Sequence, residues 1–300
     1  MLYLSGATGH SGYWLLERLK REHYAGAIRC LVRPHSDTSH LDGCNLTTEK
    51  IVGDLSDRDL VTASMDGAKV VLHIASIEHS GAVVDAAVRN RVEWVILVHT
   101  TGRYSKYKSA SAEYIQIEDD ILRMRDRIGI TVLRPTMIYG SSRDRNMYRL
   151  VDYLYRHRFF PMFGSGENLM QPVHARDLGN AYYDVISNES STLNKEYNLP
   201  GKQALPYIDL VRTVSQALGR KTVILRIPLW VSVAAAKVYN ALDRNAIISV
   251  EQVLRMQEDK AFDYGDAARD FGYSPIAFEE GILDEVSEYL DFASRSGERK

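Results

Sequence analysis

Three glycines spaced three residues apart lie near the start of the chain, and such a pattern can bind phosphate. They belong to the segment Gly6-Ala7-Thr8-Gly9-His10-Ser11-Gly12, which follows the apolar run Leu2-Tyr3-Leu4 and precedes a helical pattern that begins at Tyr13. Glycines between a strand and a helix permit a tight turn and close approach of backbone N–H groups to a pyrophosphate. The positive end of the helix dipole attracts the same group. The alternative is a glycine-rich turn without a ligand. We predict a dinucleotide site at Gly6, Thr8, Gly9, His10, Ser11 and Gly12.

The end of the second predicted strand bears on the identity of the dinucleotide. Ile28–Val32 has the composition of a strand, and Arg33 follows it, with no Asp or Glu between Ile28 and Ser36. An acidic residue here holds the ribose hydroxyls of NAD, whereas an arginine suits the 2′-phosphate of NADP. A solvated arginine at a strand end is the alternative. The pattern favours NADP over NAD.

Composition narrows the class of protein. The chain has 300 residues, a net charge of −2 and two cysteines. This charge gives no basic surface for nucleic acid, and two cysteines do not build a disulfide framework. The apolar stretch 227–236 is too short to span a bilayer. We expect a cytoplasmic protein without stable membrane insertion, without a metal site, and with a small-molecule substrate; a homodimer is left open.

Strand and helix signals alternate along the first half of the chain. Further strands are predicted at 50–52, 70–74, 95–98 and 130–133, with helices between them, and one more at 196–200. This alternation predicts an α/β fold, a doubly wound parallel sheet that binds ligands beyond the carboxyl ends of its strands. Those ends carry Gly6, Arg33, Asp54, Ala75 (followed by Ser76), Thr100 and Pro135.

Taken together, these motifs resemble the extended and atypical branches of the short-chain dehydrogenase/reductase superfamily, which include NAD(P)-dependent epimerase/dehydratase-like and NmrA-like proteins. The resemblance covers nearly the whole chain. Its motifs are the glycine segment, Gly53-Asp54-Leu55, Arg134-Pro135-Thr136-Met137-Ile138-Tyr139-Gly140, Gln171–Asp177 and Phe271–Pro275. It implies that Asp54 and Leu55 lie along the adenine. It also implies that Pro135, Thr136 and Met137 close over the nicotinamide.

The resemblance also implies a catalytic hydroxyl residue followed by Tyr and Lys at Y-x-x-x-K spacing. Lysine lowers the pKa of such a tyrosine, which then exchanges a proton with the substrate during hydride transfer. Thr100 with Tyr104 and Lys108 matches this pattern. However, Thr101 and Tyr104 are almost adjacent, whereas the family has a long loop there. The apolar stripe of the next segment predicts a helix from about 111 to 128, so Tyr104 and Lys108 precede it.

A second alignment competes with the first. Matching Glu118 and Arg134-Pro135 to the family places Ala110 and Tyr114 at the Tyr and Lys positions, which is a degenerate pair. Tyr114 also lies on the apolar stripe of the predicted helix, where a tyrosine is commonly a core residue. The sequence leaves Tyr104 with Lys108, and Tyr114, as candidate catalytic residues.

The second half of the chain should build the substrate side. We assign residues 1–140 with about 173–201 to an NADP-binding Rossmann domain, and about 141–172 with 202–300 to a smaller mixed α/β substrate lobe. Met170 lies near the place where relatives that bind nucleotide sugars carry an arginine, and the loop 159–163 is apolar. Both features favour a neutral or apolar carbonyl substrate, or the quinone-associated relatives.

Two function classes follow. The first is an NADP-dependent oxidoreductase or epimerase acting on a small carbonyl or alcohol. The second is a non-catalytic NADP-binding redox sensor or assembly factor. The position of a tyrosine hydroxyl relative to the nicotinamide would discriminate them.

Overall fold

The computed structural model describes residues 1–107, 111–231, 233–234 and 250–295, with the side chains of residues 250, 252 and 253 left out. The strands are β1 Leu2–Ser5, β2 Ile28–Val32, β3 Thr48–Val52, β4 Val70–His73, β5 Trp94–Val98, β6 Gly129–Pro135, β7 Ile138–Tyr139, β8 Phe159–Phe163, β9 Leu169–Met170, β10 Val173–His174, β11 Glu196–Leu199, β12 Leu205–Pro206 and β13 Val223–Ile227. The helices are α1 His10–Arg21, α2 Ser39–Asp42, α3 Arg58–Ser64, α4 Ser80–Arg89, α5 Ala112–Leu122, α6 Met147–Arg156, α7 Ala175–Ser187, α8 Glu189–Thr192, α9 Tyr207–Ala217, α10 Val250–Arg255, α11 Gly265–Phe271 and α12 Phe278–Arg295. Two 3₁₀ turns span Ile77–His79 and Thr101–Tyr104.

Within the described residues, seven parallel strands form the central sheet in the order β11-β6-β5-β4-β1-β2-β3. The strand β1 pairs with β2 on one side and β4 on the other, so the chain order reverses beside β1. Open parallel sheets bind ligands at such a reversal, beyond the carboxyl ends of the strands. The predicted doubly wound α/β fold is confirmed.

Helices cover both faces of this sheet. Every residue of β5 is buried, and such a continuous apolar run is typical of a parallel strand with both faces covered. One buried cluster on the sheet includes Leu4, Leu15 and Ile96, and another includes Tyr3, Val71 and Val95. A third buried cluster joins α6, α9 and α12 in the second half of the chain. The division into two lobes at the predicted boundaries stays a prediction.

Two boundary predictions around the fifth helix and the eighth strand are wrong. The predicted helix 111–128 ends at Leu122, and residues 123–127 form turns. The predicted loop 159–163 is a strand, because Phe159–Phe163 pairs in parallel with Val223–Ile227. The two strands are 64 residues apart in the chain, so their pairing leaves no local signal in the sequence, and a segment that contains Pro161 is mistaken for a loop.

Side chains cap two of the helices at their N-termini. Asp57 caps α3 by accepting from the N–H of Leu60 at 3.0 Å. His174 caps α7, because its Nδ1 accepts from the N–H of Arg176 at 3.1 Å. Asp177 lies buried in the first turn of α7 and accepts from the N–H of Ile276 at 3.0 Å. His174 is therefore a buried capping residue.

Candidate active site

The glycine segment forms the tight connection between β1 and α1. Gly6 has a φ of +89°, which disfavours a side chain, and the N–H of Gly9 donates to the carbonyl of Gly6 at 3.0 Å. A Cβ on Gly12 would lie 2.1 Å from the carbonyl oxygen of Gly6. The first turn of α1 therefore packs directly on the loop. This compact connection at the start of a helix fits a pyrophosphate.

The residues predicted for the adenine end lie at the carboxyl ends of β2 and β3. The side chain of Arg33 is exposed and makes no hydrogen bond or ion pair within the described part of the chain. Asp54 is also exposed, and its Oδ1 accepts from the N–H and the hydroxyl of Ser56 at 2.9 and 2.7 Å. These bonds lower the pKa of Asp54, and the nearby charges of His79 and Arg33 add to this, so the carboxylate stays ionised. Arg33 is thus free to pair with an anionic group.

The other predicted cofactor residues around the glycine segment and β3 range from exposed to buried. Ala75 closes the loop from the side of β4, because its backbone N lies 3.0 Å from a Cβ built on Gly6, and Ser76 beyond it is exposed. The hydroxyl of Ser11 is buried and accepts from the hydroxyl of Tyr182 at 3.2 Å. Leu55 is partly buried against the core beneath α3. Thr8 is partly exposed in the glycine segment.

A cavity of about 1070 Å³ lies at the carboxyl edge of the sheet. We call it the main cavity. It brings together six of the residues that the sequence singled out, namely His10, Thr100, Tyr104, Pro135, Thr136 and Met137. The Nε2 atom of His10 is buried and has no hydrogen-bond partner among the described residues. A buried polar atom without a partner favours a polar ligand. The free Arg33, the glycine loop and His10 fit a phosphorylated dinucleotide.

Two hydroxyl groups line this cavity after β5. The Oγ1 of Thr100 accepts from the N–H of Gly102 at 3.0 Å, which leaves the hydroxyl proton free. The hydroxyl oxygen of Tyr104 accepts from Nη1 of Arg134 at 3.0 Å, and the guanidinium lies 5.7 Å from the centre of the tyrosine ring. Arginine has no acceptor, so the phenolic proton of Tyr104 remains available to another group. Both hydroxyls can donate to a carbonyl oxygen.

A buried ionic cluster holds Arg134 in place. Its Nη2 and Nε donate to Oε1 of Glu118 at 2.6 and 2.9 Å, and Nη2 also donates to Glu196. Glu118 further accepts from Arg103 and pairs with Nδ1 of His99 at 2.7 Å. Burial alone would raise the pKa of Glu118, but the hydrogen bonds from His99 and Arg134 lower it to about 2. The carboxylate is therefore ionised and fixes the arginine beside Tyr104.

The two remaining catalytic candidates are Lys108 and Tyr114. Lys108 lies outside the described residues, so its placement stays a prediction. Tyr114 is on α5 and is not among the described residues that line the main cavity. Within the described chain, Arg134 is the cation beside Tyr104. The sequence contained this arginine in the Arg134-Pro135 motif, but its spacing of 30 residues from Tyr104 gave no sign of the pairing.

The far wall of the main cavity comes from a part of the chain that the sequence analysis did not single out. Arg255, Lys260 and Phe262 face the cavity, and the ring of Phe262 lies 5.6 Å from that of Tyr104. Burial and the neighbouring Arg255 lower the pKa of Lys260. Glu258 ties this wall to the near side by accepting from the hydroxyl of Ser105 at 2.6 Å. These contacts join positions more than 150 residues apart.

Neither a metal site nor a membrane span is found in the described chain. No group of three or more His, Cys, Asp or Glu side chains is placed to hold a metal ion there. None of its helices is both long enough and apolar enough to cross a bilayer.

Comparison with known proteins finds distant relatives, and no family model matches the chain. The NADH dehydrogenase [ubiquinone] 1 alpha subcomplex subunit 9 of Arabidopsis thaliana is 21% identical over 77% of this chain and 61% of its own length. The short-chain dehydrogenase/reductase family 42E member 1 of Mus musculus is 23% identical over 62% of this chain and 50% of its own length. The chain thus spans less than two thirds of either relative.

Solved structures match over almost the full chain. The structure of gox2253 has a TM-score of 0.81 at 19% identity and covers 97% of this chain and 98% of its own. DesIV of Streptomyces venezuelae, a dTDP-glucose 4,6-dehydratase with NAD and TYD bound, has a TM-score of 0.74 at 18% identity, with 98% of both chains covered. An NADPH-dependent quinone oxidoreductase (QOR2) of Escherichia coli has a TM-score of 0.72 at 21% identity, covering 97% of this chain and 100% of its own.

Proposed function

We propose that this chain, whose fold is that of the extended short-chain dehydrogenase/reductase superfamily, is an NADP-dependent oxidoreductase or epimerase that acts on a small carbonyl or alcohol. The observation that carries this proposal is the main cavity, which joins His10 of the glycine segment to the hydroxyls of Thr100 and Tyr104. A dinucleotide-binding loop and two free proton donors thus border one space. The fold alone does not establish an activity, so the proposal rests on this site.

The choice of NADP rests on Arg33. Its side chain is exposed beyond β2 and has no hydrogen bond or ion pair within the described chain, so no such contact has to break before it pairs with a 2′-phosphate. Its guanidinium presents a planar set of donors that suits a phosphate group. Solved proteins of this fold include one with NAD bound and one that is NADPH-dependent, so the fold accommodates both cofactors.

The proton chemistry follows from the contacts of Tyr104. When bound, the nicotinamide supplies or accepts the hydride. Tyr104 would donate its phenolic proton to the substrate oxygen, and Arg134 would stabilise the negative charge left on the phenolic oxygen through the bond of 3.0 Å. Thr100 would donate a second hydrogen bond to the same oxygen. Glu118 already holds the guanidinium of Arg134 beside Tyr104, so this side chain has to move little when the negative charge forms.

The test compares two tyrosine variants in NADPH-dependent turnover of aldehydes, ketones and quinones. Tyr104→Phe should lower turnover by about 10²- to 10⁴-fold, since general acid catalysis contributes roughly that much. NADPH affinity, measured by fluorescence titration, should change little. Tyr114→Phe is the matched control and should be silent, because Tyr114 does not line the cavity. The reverse result would assign the proton transfer to Tyr114.

A non-catalytic NADP-binding protein is the second candidate. The observation in its favour is that Ala110 and Tyr114 stand at the family's catalytic positions when Glu118 is aligned. A wild-type protein that binds NADPH but turns over no member of the substrate panel would favour this redox-sensor or assembly-factor function over the oxidoreductase.

A further inference from the structure

A second space adjoins the main cavity on the side away from the glycine segment. This side chamber has a volume of about 250 Å³ and shares four lining residues with the main cavity. They are Met137, Asn146, Met170 and Lys260. The two spaces therefore adjoin along these four residues, which form the junction. The rest of the chamber lining is mostly apolar, and Arg149 and Asn168 are its further polar members.

The inner walls of the side chamber consist chiefly of aliphatic and thioether side chains. Met147 and Leu150 come from α6, Leu210 comes from α9, and Met256 follows α10. Met147 and Leu210 belong to the third buried cluster and Leu150 packs against it, whereas Met256 is exposed, so the chamber lies between this cluster and the surface. An apolar cavity of about 150 Å³ holds a six-carbon ring, so the side chamber has room for about ten carbons.

A third, smaller hollow of about 160 Å³ continues from the side chamber toward the surface. It shares Tyr207 and Met256 with the chamber, and Phe160 and Phe163 also line it. Met256 and Phe163 are 45% and 39% exposed, so the hollow borders solvent. Methionine side chains adapt their shape readily, which allows Met170 and Met256 to admit an apolar chain. Mostly apolar side chains therefore line the adjoining spaces between the main cavity and β8.

We propose that the side chamber binds the hydrocarbon tail of the substrate, whose carbonyl or alcohol head lies in the main cavity beside Thr100 and Tyr104. The substrate class is then an aliphatic carbonyl or alcohol with a tail of up to about ten carbons. This inference rests on the proposed function, because the head group is assigned from it. It adds a tail site that the glycine segment and the hydroxyls do not specify.

The affinity of the protein for a substrate should rise with the length of the substrate's hydrocarbon tail. Each buried methylene contributes about 0.8 kcal/mol, which corresponds to roughly a fourfold gain in affinity. Isothermal titration calorimetry with 2-butanone and 2-octanone, on protein with and without saturating NADPH, measures this gain. The two ketones share a head group and differ by four methylenes, so 2-octanone should bind about 250-fold more tightly. Equal affinities in the wild-type protein would overturn the proposal.

A substitution that fills the side chamber tests whether the hydrocarbon tail binds there. Leu150→Phe introduces a ring into the chamber and should abolish most of the preference for 2-octanone while leaving 2-butanone and NADPH binding unchanged. Leu283→Phe makes the same substitution at a helix position that is 54% exposed and should keep the preference. Met170→Phe narrows the junction and provides a second blocking variant if Leu150→Phe does not fold. A preference that survives blocking would overturn the assignment to the chamber.

The cofactor titration separates this inference from the proposed function. A wild-type protein that fails to bind NADPH contradicts the proposed function. If the preference for 2-octanone persists in that protein and disappears in Leu150→Phe, the tail site is nevertheless supported.

Discussion

At the scale of single residues, we propose that Arg33 decides which dinucleotide the protein prefers. We expect Arg33→Asp to weaken NADPH binding by about 10- to 100-fold, since it removes a charge-assisted pair with the 2′-phosphate and adds a repulsive carboxylate. NADH binding should change little, because NADH has no phosphate at that position. Fluorescence titration with each cofactor measures both affinities. Tighter binding of NADH than of NADPH by the wild-type protein would contradict the assignment.

A matched control separates this local effect from a change in net charge. Arg127 is also exposed, and it precedes β6 at the opposite edge of the sheet from Arg33. Arg127→Asp changes the net charge by the same amount and should leave both cofactor affinities unchanged. Weakening of NADPH binding by both variants would show a long-range effect of net charge instead of a contact at Arg33.

At the scale of elements, the close packing of α1 on α7 positions the glycine segment. A Cβ built on Gly179 of α7 would lie 2.5 Å from the backbone carbon of Trp14 and 2.6 Å from the backbone nitrogen of Leu15. Backbone atoms give way only if the helices separate. Gly179→Ala should therefore lower the free energy of unfolding by about 1–3 kcal/mol, the usual cost of overpacking. Urea denaturation followed by circular dichroism measures this change.

A glycine-to-alanine substitution at an open helical position should not lower the free energy of unfolding. A Cβ on Gly81, within α4, meets no atom within 4 Å. Gly81→Ala should leave the stability unchanged or raise it by up to about 1 kcal/mol, because alanine is the better helix former. If both variants behave alike, the close approach of α1 and α7 does not limit stability.

At the scale of the whole molecule, Glu285 of α12 links the last helix to the loop after β7. It is completely buried, and its Oε2 accepts from the N–H of Gly140 at 2.8 Å. Its Oε1 is buried without a hydrogen-bond partner in the described chain. Burial raises the pKa of Glu285 from 4.5 to about 8, and the nearby carboxylates of Asp144 and Glu288 add to the rise.

The raised pKa makes stability depend on pH. The folded protein holds the proton on Glu285 more tightly than the unfolded chain, so the contribution of this residue is greatest below pH 4.5 and falls as the pH rises toward about 8. Glu285→Gln removes this dependence. Its stability relative to wild type should therefore increase between pH 6 and pH 8, by at most about 1.4 kcal/mol per pH unit.

Urea denaturation of both proteins at pH 6, 7 and 8 measures this difference. Glu279→Gln, at an exposed position in the first turn of the same helix, serves as the control and should follow the wild-type slope. Parallel curves for wild type and Glu285→Gln would show that Glu285 titrates near its ordinary value.

Local patterns in the sequence determined the framework of this protein. The glycine spacing and the alternation of apolar runs predicted a doubly wound parallel sheet, and the structure confirms it. These signals are local because a buried strand and a tight turn each impose residue types over a few neighbouring positions. The same reasoning placed His10, Thr100 and Pro135 at the carboxyl edge of the sheet, where they line one cavity.

Only the tertiary structure decided which groups face each other across that cavity. The pairing of Arg134 with Tyr104, the ionic cluster around Glu118 and the wall formed by Lys260 and Phe262 join distant segments. The side chamber between α6, α9 and the segment after α10 likewise exists only when these elements pack together. Such contacts leave no periodic signal, because their geometry is set by the packing of whole elements and not by the spacing of residues along the chain.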